Sequence, residues 1–421
     1  MRRVMENSGL RKAFKSLIDV NELGTDEEFV PDLIVFSHLR WNFVFQRPQH
    51  LMTRFAKDRR VYFVEEPIFA DGGRPHLEVT TQESSVRVVV PKIPREIAER
   101  GPEAVNRELA DMLERYVHQV GIALDEYTAW YYTPMALEFT RKLSPTTIVY
   151  DCMDELSAFR GAPAGLLALE AELLAKADVV FTGGHALYAA KKGRHPNLHA
   201  MPSSIDRPHF ARARLSTAVP EDQAGIDGRR IGFYGVVDER FDIELLRAVA
   251  DRRPDWSFVI LGPVVKVDPA ELPRSPNIHY LGMKKYEELP NYLAGWDVAM
   301  LPFARNESTR FISPTKTPEY LAAGCPVVST SIRDVVRPYG EEHLVKIADT
   351  PDEFIEAIED LLNMGPEKAA WLDRVDRRLR TMSWAKTQAE MAALERECRE
   401  KKLRTDAYPR SSAPSLHPAY L

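Results

Sequence analysis

The chain has 421 residues, 44% hydrophobic and 28% charged, a composition that fits two or three packed domains and excludes a largely disordered protein. Fifty-six basic residues against sixty-two acidic ones leave a net charge of −6, a poor balance for general nucleic-acid binding, which needs concentrated positive charge. Three scattered cysteines (Cys152, Cys325 and Cys398) exclude a disulfide framework or a zinc cluster, and no apolar run reaches the roughly 18 residues of a membrane span. A cytoplasmic protein is expected.

Residues 1–29 form an N-terminal extension. Leu10, Phe14, Leu17 and Ile18 recur there at helical spacing with Arg11, Lys12 and Lys15 between them. The pattern fits either a basic helix lying on an anionic membrane surface or an ordinary packed helix. Residues 30–210 then alternate short apolar runs with helical periods. Strands are expected at Asp32–Ser37, Val61–Val64, Val86–Val90, Ala129–Tyr132, Thr147–Tyr150, Val179–Thr182 and Leu198–Pro202. Helices are expected at Pro48–Lys57, Ala104–Val120 and Gly165–Ala177. This alternation means a parallel sheet covered on both faces.

A polar stretch from Arg212 to Arg230 carries no period and marks a hinge near residues 205–230. The alternation restarts in residues 211–383, with strands at Arg230–Tyr234, Ser257–Leu261, Ile278–Tyr280, Val298–Leu301, Pro326–Ser329 and Leu344–Ile347. Helices are expected at Ile243–Asp251, Tyr286–Leu293, Pro314–Ala323 and Pro351–Asn363. Residues 384–404 read as a further helix returning to the first domain, with the mixed charges of Glu395–Arg404 as a solvated face. Residues 405–421 read as a loose tail.

The chemistry concentrates in Ser313-Pro-Thr-Lys-Thr-Pro-Glu-Tyr-Leu-Ala-Ala-Gly-Cys-Pro-Val-Val. Ser313 is a suitable N-cap, and a proline in the first helical turn loses no hydrogen bond. The free N–H groups of a helix start favour a phosphate, and Lys316 adds a full charge there. Glu319 is placed to accept hydrogen bonds from a ribose diol, or else forms a surface pair with Lys316.

This run resembles the donor-binding segment of GT-B glycosyltransferases, and Asn306 and Thr309 resemble the pattern that precedes the lysine there. Ile231-Gly-Phe-Tyr-Gly-Val-Val-Asp-Glu-Arg-Phe-Asp is similar to the first strand and glycine loop of the family's second domain, where Gly235 would admit the donor diphosphate. In the first half, Trp41-Asn-Phe-Val-Phe-Gln-Arg-Pro-Gln-His-Leu, Val64-Glu-Glu-Pro, Trp130-Tyr-Tyr-Thr-Pro and Tyr150-Asp-Cys-Met-Asp-Glu resemble bacterial enzymes of cell-surface polysaccharide synthesis, of teichuronic-acid and xanthan-glucuronosyl type. The resemblance spans about residues 30–400.

It implies two Rossmann-like domains facing across a cleft, with the C-terminal helical segment added. The implied reaction moves a hexosyl or related sugar from a nucleotide-diphosphate sugar to a hydroxyl of a lipid-linked or polysaccharide acceptor. No cofactor is expected beyond that co-substrate. Asp151-Cys-Met-Asp154 lacks the tight Asp-x-Asp of metal-using transferases, so no metal is expected. The sequence departs from the retaining enzymes at Phe311, where they carry a second glutamate, and at Val236, where many carry a phosphate-binding arginine. Arg240 or Arg310 is the candidate replacement.

An inverting route needs a general base. Asp154 follows the strand end where α/β sheets place ligands, and the resemblance puts a catalytic aspartate there; Asp151, Glu155 and His38 are rivals, and helix capping is the other reading of Asp154. Arg47 and His50 are candidates for an acceptor phosphate, with helix capping as the alternative for His50. Cys152 and Cys325 read as small buried residues. The competing functions are an epimerase or a phosphorylase on the same fold, and a binding protein that has lost its chemistry.

Overall fold

A computed structural model describes residues 30–122, 126–216 and 218–407. The basic segment around Leu10–Ile18 lies outside the described residues. Asp32–Leu421 forms one compact unit.

That unit holds two sheets. The first contains β1 (Asp32–Phe36), β2 (Val61–Val64), β3 (Ile68–Ala70), β4 (His76–Thr81), β5 (Arg87–Pro94), β6 (Tyr127–Tyr131), β7 (Thr147–Cys152), β8 (Val179–Thr182) and β9 (Leu198–Ala200). Their order is β3-β5-β2-β1-β6-β7-β8-β9, parallel throughout, with β4 added antiparallel to β5. The second contains β10 (Arg229–Tyr234), β11 (Trp256–Leu261), β12 (Ile278–Gly282), β13 (Val298–Leu301), β14 (Val327–Ser329) and β15 (Val345–Ile347). It is all parallel, in the order β12-β11-β10-β13-β14-β15.

Strand order reverses beside β1 in one sheet and beside β10 in the other, the positions where such folds leave a crevice for ligands. Central strands are buried on both faces and so read as continuous apolar runs; Trp256-Ser-Phe-Val-Ile-Leu is buried along its whole length. β4 was not expected. Its residues are almost all exposed, it has one partner, and His76-Leu-Glu-Val-Thr-Thr carries no buried run.

The helices that position the site are α1 (Arg47–Phe55), α2 (Leu166–Lys176), α3 (His185–Lys191), α4 (Lys316–Ala322) and α5 (Trp384–Ala407). Ser313 does not cap α4: the helix begins three residues later, with Thr315 at the cap position and no side-chain cap bond. α5 lays Trp384 and Met391, both fully buried, into the apolar cluster of Leu33, Val35, Phe63 and Trp130 on one face of the first sheet. The expectation of a solvated face fails at Glu395. Its side chain is 4% exposed, pairs with Arg59 at 3.0 Å, and accepts from the Thr128 hydroxyl. A charge-rich sequence hides this, because Arg59 lies far away in the chain.

Candidate active site

The C-terminal ends of the two sheets border one cleft. Gln46, Arg47, Met153, Asp154, Gly183 and Ser203 line it from the first sheet, and Val236, Arg240, Phe303, Ile312–Thr315 and Lys316 from the second.

On the second side, β10 ends in Tyr234-Gly235. Gly235 has φ of +142°, and a Cβ built on it would lie 2.1 Å from Lys316 Cε. The missing side chain is therefore what lets the lysine cross the strand end. Burial and the neighbouring Arg240 lower the Lys316 ammonium to about 8. Arg240 is held by Asp238 through Nε–Oδ1 at 2.9 Å and Nη2–Oδ2 at 2.6 Å, an orientation that leaves it on the cleft wall. Behind Lys316, Glu319 accepts a hydrogen bond from the Tyr234 hydroxyl, and burial raises its carboxyl to about 7.

On the first side, the three carboxylates after β7 separate cleanly. Asp151 is fully buried and receives both Nε and Nη2 of Arg47, at 3.1 and 2.8 Å. Glu155 pairs with Lys191 at 2.7 Å. Asp154 alone of the three lines the cleft, and its carboxylate has no hydrogen-bond partner among the described residues. Burial raises it, opposed by Arg240, Arg47 and Lys316. It does not cap the following turn, which Glu155 begins without a side-chain bond.

The other candidates sit elsewhere. Arg47 reaches the cleft wall, but its donors are taken by Asp151 and by the Met201 carbonyl, so it braces the β7 end rather than presenting free donors to an acceptor. His50 is buried, stacked on Trp384 at 4.7 Å and edge-to-face with Phe45 at 4.7 Å, away from the cleft lining. Thr309 is buried and donates to the Ala304 carbonyl, a brace within its own loop. Arg310 is exposed and pairs with Glu307 at 3.7 Å, leaving Arg240 as the arginine on the cleft. His38 stands largely buried at the end of β1, near Lys266 and outside the cleft lining. Burial lowers its imidazole to about 4, so it is neutral at ordinary pH. Cys152 and Cys325 are buried free thiols. Asp238 and Ser203 went unnoticed in the sequence. Asp238 stands two residues before Arg240, a spacing that signals the pair; Ser203 carries no local signal.

Residues 228–364, which contain Gly235, Arg240, Lys316 and Glu319, match the family described as Glycosyl transferases group 1. The chain is 26% identical over 286 residues, 60% of its length, to 70% of a Bacillus subtilis (strain 168) protein, TuaH, whose name describes it as a teichuronic acid biosynthesis glycosyltransferase. Among solved structures, a sucrose-phosphate synthase from Thermosynechococcus elongatus superposes with a TM-score of 0.66 at 16% identity, covering 87% of this chain and 99% of that one. An E. coli structure titled as trehalose-6-phosphate bound with UDP-2-fluoro glucose gives 0.63 at 12% identity, covering 86% and 99%. Two parallel sheets meeting at a shared cleft, with these neighbours, define the GT-B fold. The protein is a glycosyltransferase, whose residues 228–364 match the group 1 family, and it uses a nucleotide sugar donor and a glycan acceptor.

Proposed function

We propose that the protein transfers a hexosyl or related sugar, with inversion, from a nucleotide-diphosphate sugar to a hydroxyl of a lipid-linked or polysaccharide acceptor of the cell envelope. The observation that carries this reading is the unpartnered carboxylate of Asp154 on the cleft wall facing the cationic pair Arg240 and Lys316. Asp154 takes the proton of the acceptor hydroxyl as its oxygen bonds to the anomeric carbon. The bond from that carbon to the diphosphate oxygen breaks, and the developing negative charge falls against Lys316 and Arg240. Raising the Asp154 carboxyl by burial makes it a better base once ionised. Glu319, oriented by Tyr234, is the proposed partner of the ribose hydroxyls, and the backbone at Gly235 approaches the phosphates.

The test is Asp154→Asn with donor binding and transfer measured together. Transfer is expected to fall by about 10²- to 10⁴-fold, with donor affinity retained. Full transfer, or retention of configuration in the product, overturns the assignment. Wild-type transfer is expected to survive EDTA. The cell-envelope acceptor rests on the likeness to TuaH. Among the described residues, no helix is long and apolar enough to cross a membrane. Peripheral contact through the basic N-terminal segment is tested by co-sedimentation with anionic vesicles, which deletion of residues 1–29 should abolish.

A further inference from the structure

The seven-residue helix α3 stands between the two sides of the cleft and is held at both ends. At its start, the backbone N–H groups of His185 and Ala186 donate to Asp334 Oδ2 and Oδ1 at 2.7 and 2.8 Å. Asp334 follows β14 of the other sheet and is nearly buried. Gly184 makes the approach possible: a Cβ there would lie 2.3 Å from Asp334 Oδ2 and 2.7 Å from Ser313 Cβ. Its backbone is extended, so room rather than φ selects glycine. Beside it, the Ser203 hydroxyl donates to the Ser313 carbonyl at 2.7 Å. The loop that leads into Lys316 is thus fastened to the first side.

At its end, α3 presents Lys191, 3% exposed, whose Nζ lies 2.7 Å from Glu155 Oε2 and 2.5 Å from Glu170 Oε1. Glu170 also receives Arg194 at 2.8 Å and the Tyr150 hydroxyl at 3.2 Å, so the anchor is rigid. Glu155 is the residue next to Asp154. One short helix therefore touches the donor-side loop at one end and the Asp154 loop at the other.

We propose that Asp334 is a positioning residue, which by gripping the start of α3 sets the Ser313–Lys316 loop in register with Asp154. This rests on Asp154 being the base. The clasp aligns the leaving-group cations with the acceptor side; without it each side still folds and the donor still binds, but the two sides are not registered.

Two variants test it by different routes. Asp334→Ala removes the grip, and Gly184→Ala obstructs it while keeping the carboxylate. Hydrogen exchange of the His185 and Ala186 amides is expected to accelerate in both. The kcat should fall by about ten- to a hundred-fold, the cost of a misplacement near 1 Å. Donor affinity should stay within about three-fold of wild type, and the double variant should lose no more than the worse single one. Faster exchange with unchanged kcat, unchanged exchange, a loss confined to donor affinity, or additive losses each overturn the proposal. If either variant fails to fold, Asp334→Asn, which keeps size and removes charge, carries the same expectations. Asp154→Asn is assayed in parallel. Its full activity would remove the base assignment, whereas the exchange readout stands or falls on the clasp alone.

Discussion

Lys316 carries its charge where the fold disfavours it. Its ammonium is lowered from 10.5 to about 8, so the folded chain holds that proton less tightly than the unfolded chain. This group therefore adds stability as pH rises from about 8 towards 10.5. Glu319 is raised from 4.5 to about 7, and the stability it contributes at acid pH is lost between those values. Near neutrality both groups oppose folding, and a bound diphosphate relieves the first. The kcat/KM for the donor is expected to be bell-shaped with limbs near 7 and 8, and the alkaline limb should move upward once the donor saturates. A flat profile across that range would separate these residues from the donor. Lys316→Ala should raise the melting temperature at pH 7 while lowering kcat by about 10²- to 10³-fold, two opposite signs that a general loss of structure cannot produce. Gly235 and Asp154 drew attention in the sequence because each follows a strand end within its own motif, and Lys316 because it stands at the start of a helix. Asp334 did not, because its partners are about 150 residues away and nothing in its neighbours predicts them.

At the scale of elements, the parallel strands announced themselves through unbroken apolar runs, and β4 escaped because an exposed edge strand needs none. α5 shows the opposite failure. Its sequence is dense in charge, yet Glu395 is sealed against Arg59 and Thr128. Glu395→Ala leaves a buried guanidinium unpaired and should cost about 3–5 kcal/mol in urea denaturation. Replacing both partners, Arg59→Met with Glu395→Leu, should restore most of that loss; a persistent deficit would mean that the pair specifies the docking of α5 and does more than balance its own charge. His50 belongs to the same contact. Its ring lies flat on Trp384 at an interplanar angle of 10°, so a histidine three residues after Arg47 serves packing.

For the whole molecule, the net charge of −6 conceals a cleft where Lys316 and Arg240 converge. Each sheet has apolar clusters on both faces, so each carries a core of its own. Calorimetry is expected to resolve two unfolding transitions. Gly232→Ala would put a Cβ 1.9 Å from the Trp296 ring and should lower one of them. A nucleotide sugar should raise that same transition, by an amount that grows with concentration. A donor that raises the other transition would move its site to the first sheet.

The order of the chain gives α5 a further meaning. The first sheet is complete at Ala200 with α1 already on one of its faces, but the helix that finishes covering that face begins at Trp384. During synthesis at the ribosome, that face waits on the order of ten seconds or more while the entire second sheet is made. The half that emerges first is the half that is finished last. The apolar surface of α1, β7 and β8 that α5 seals is where a nascent chain would call on a chaperone.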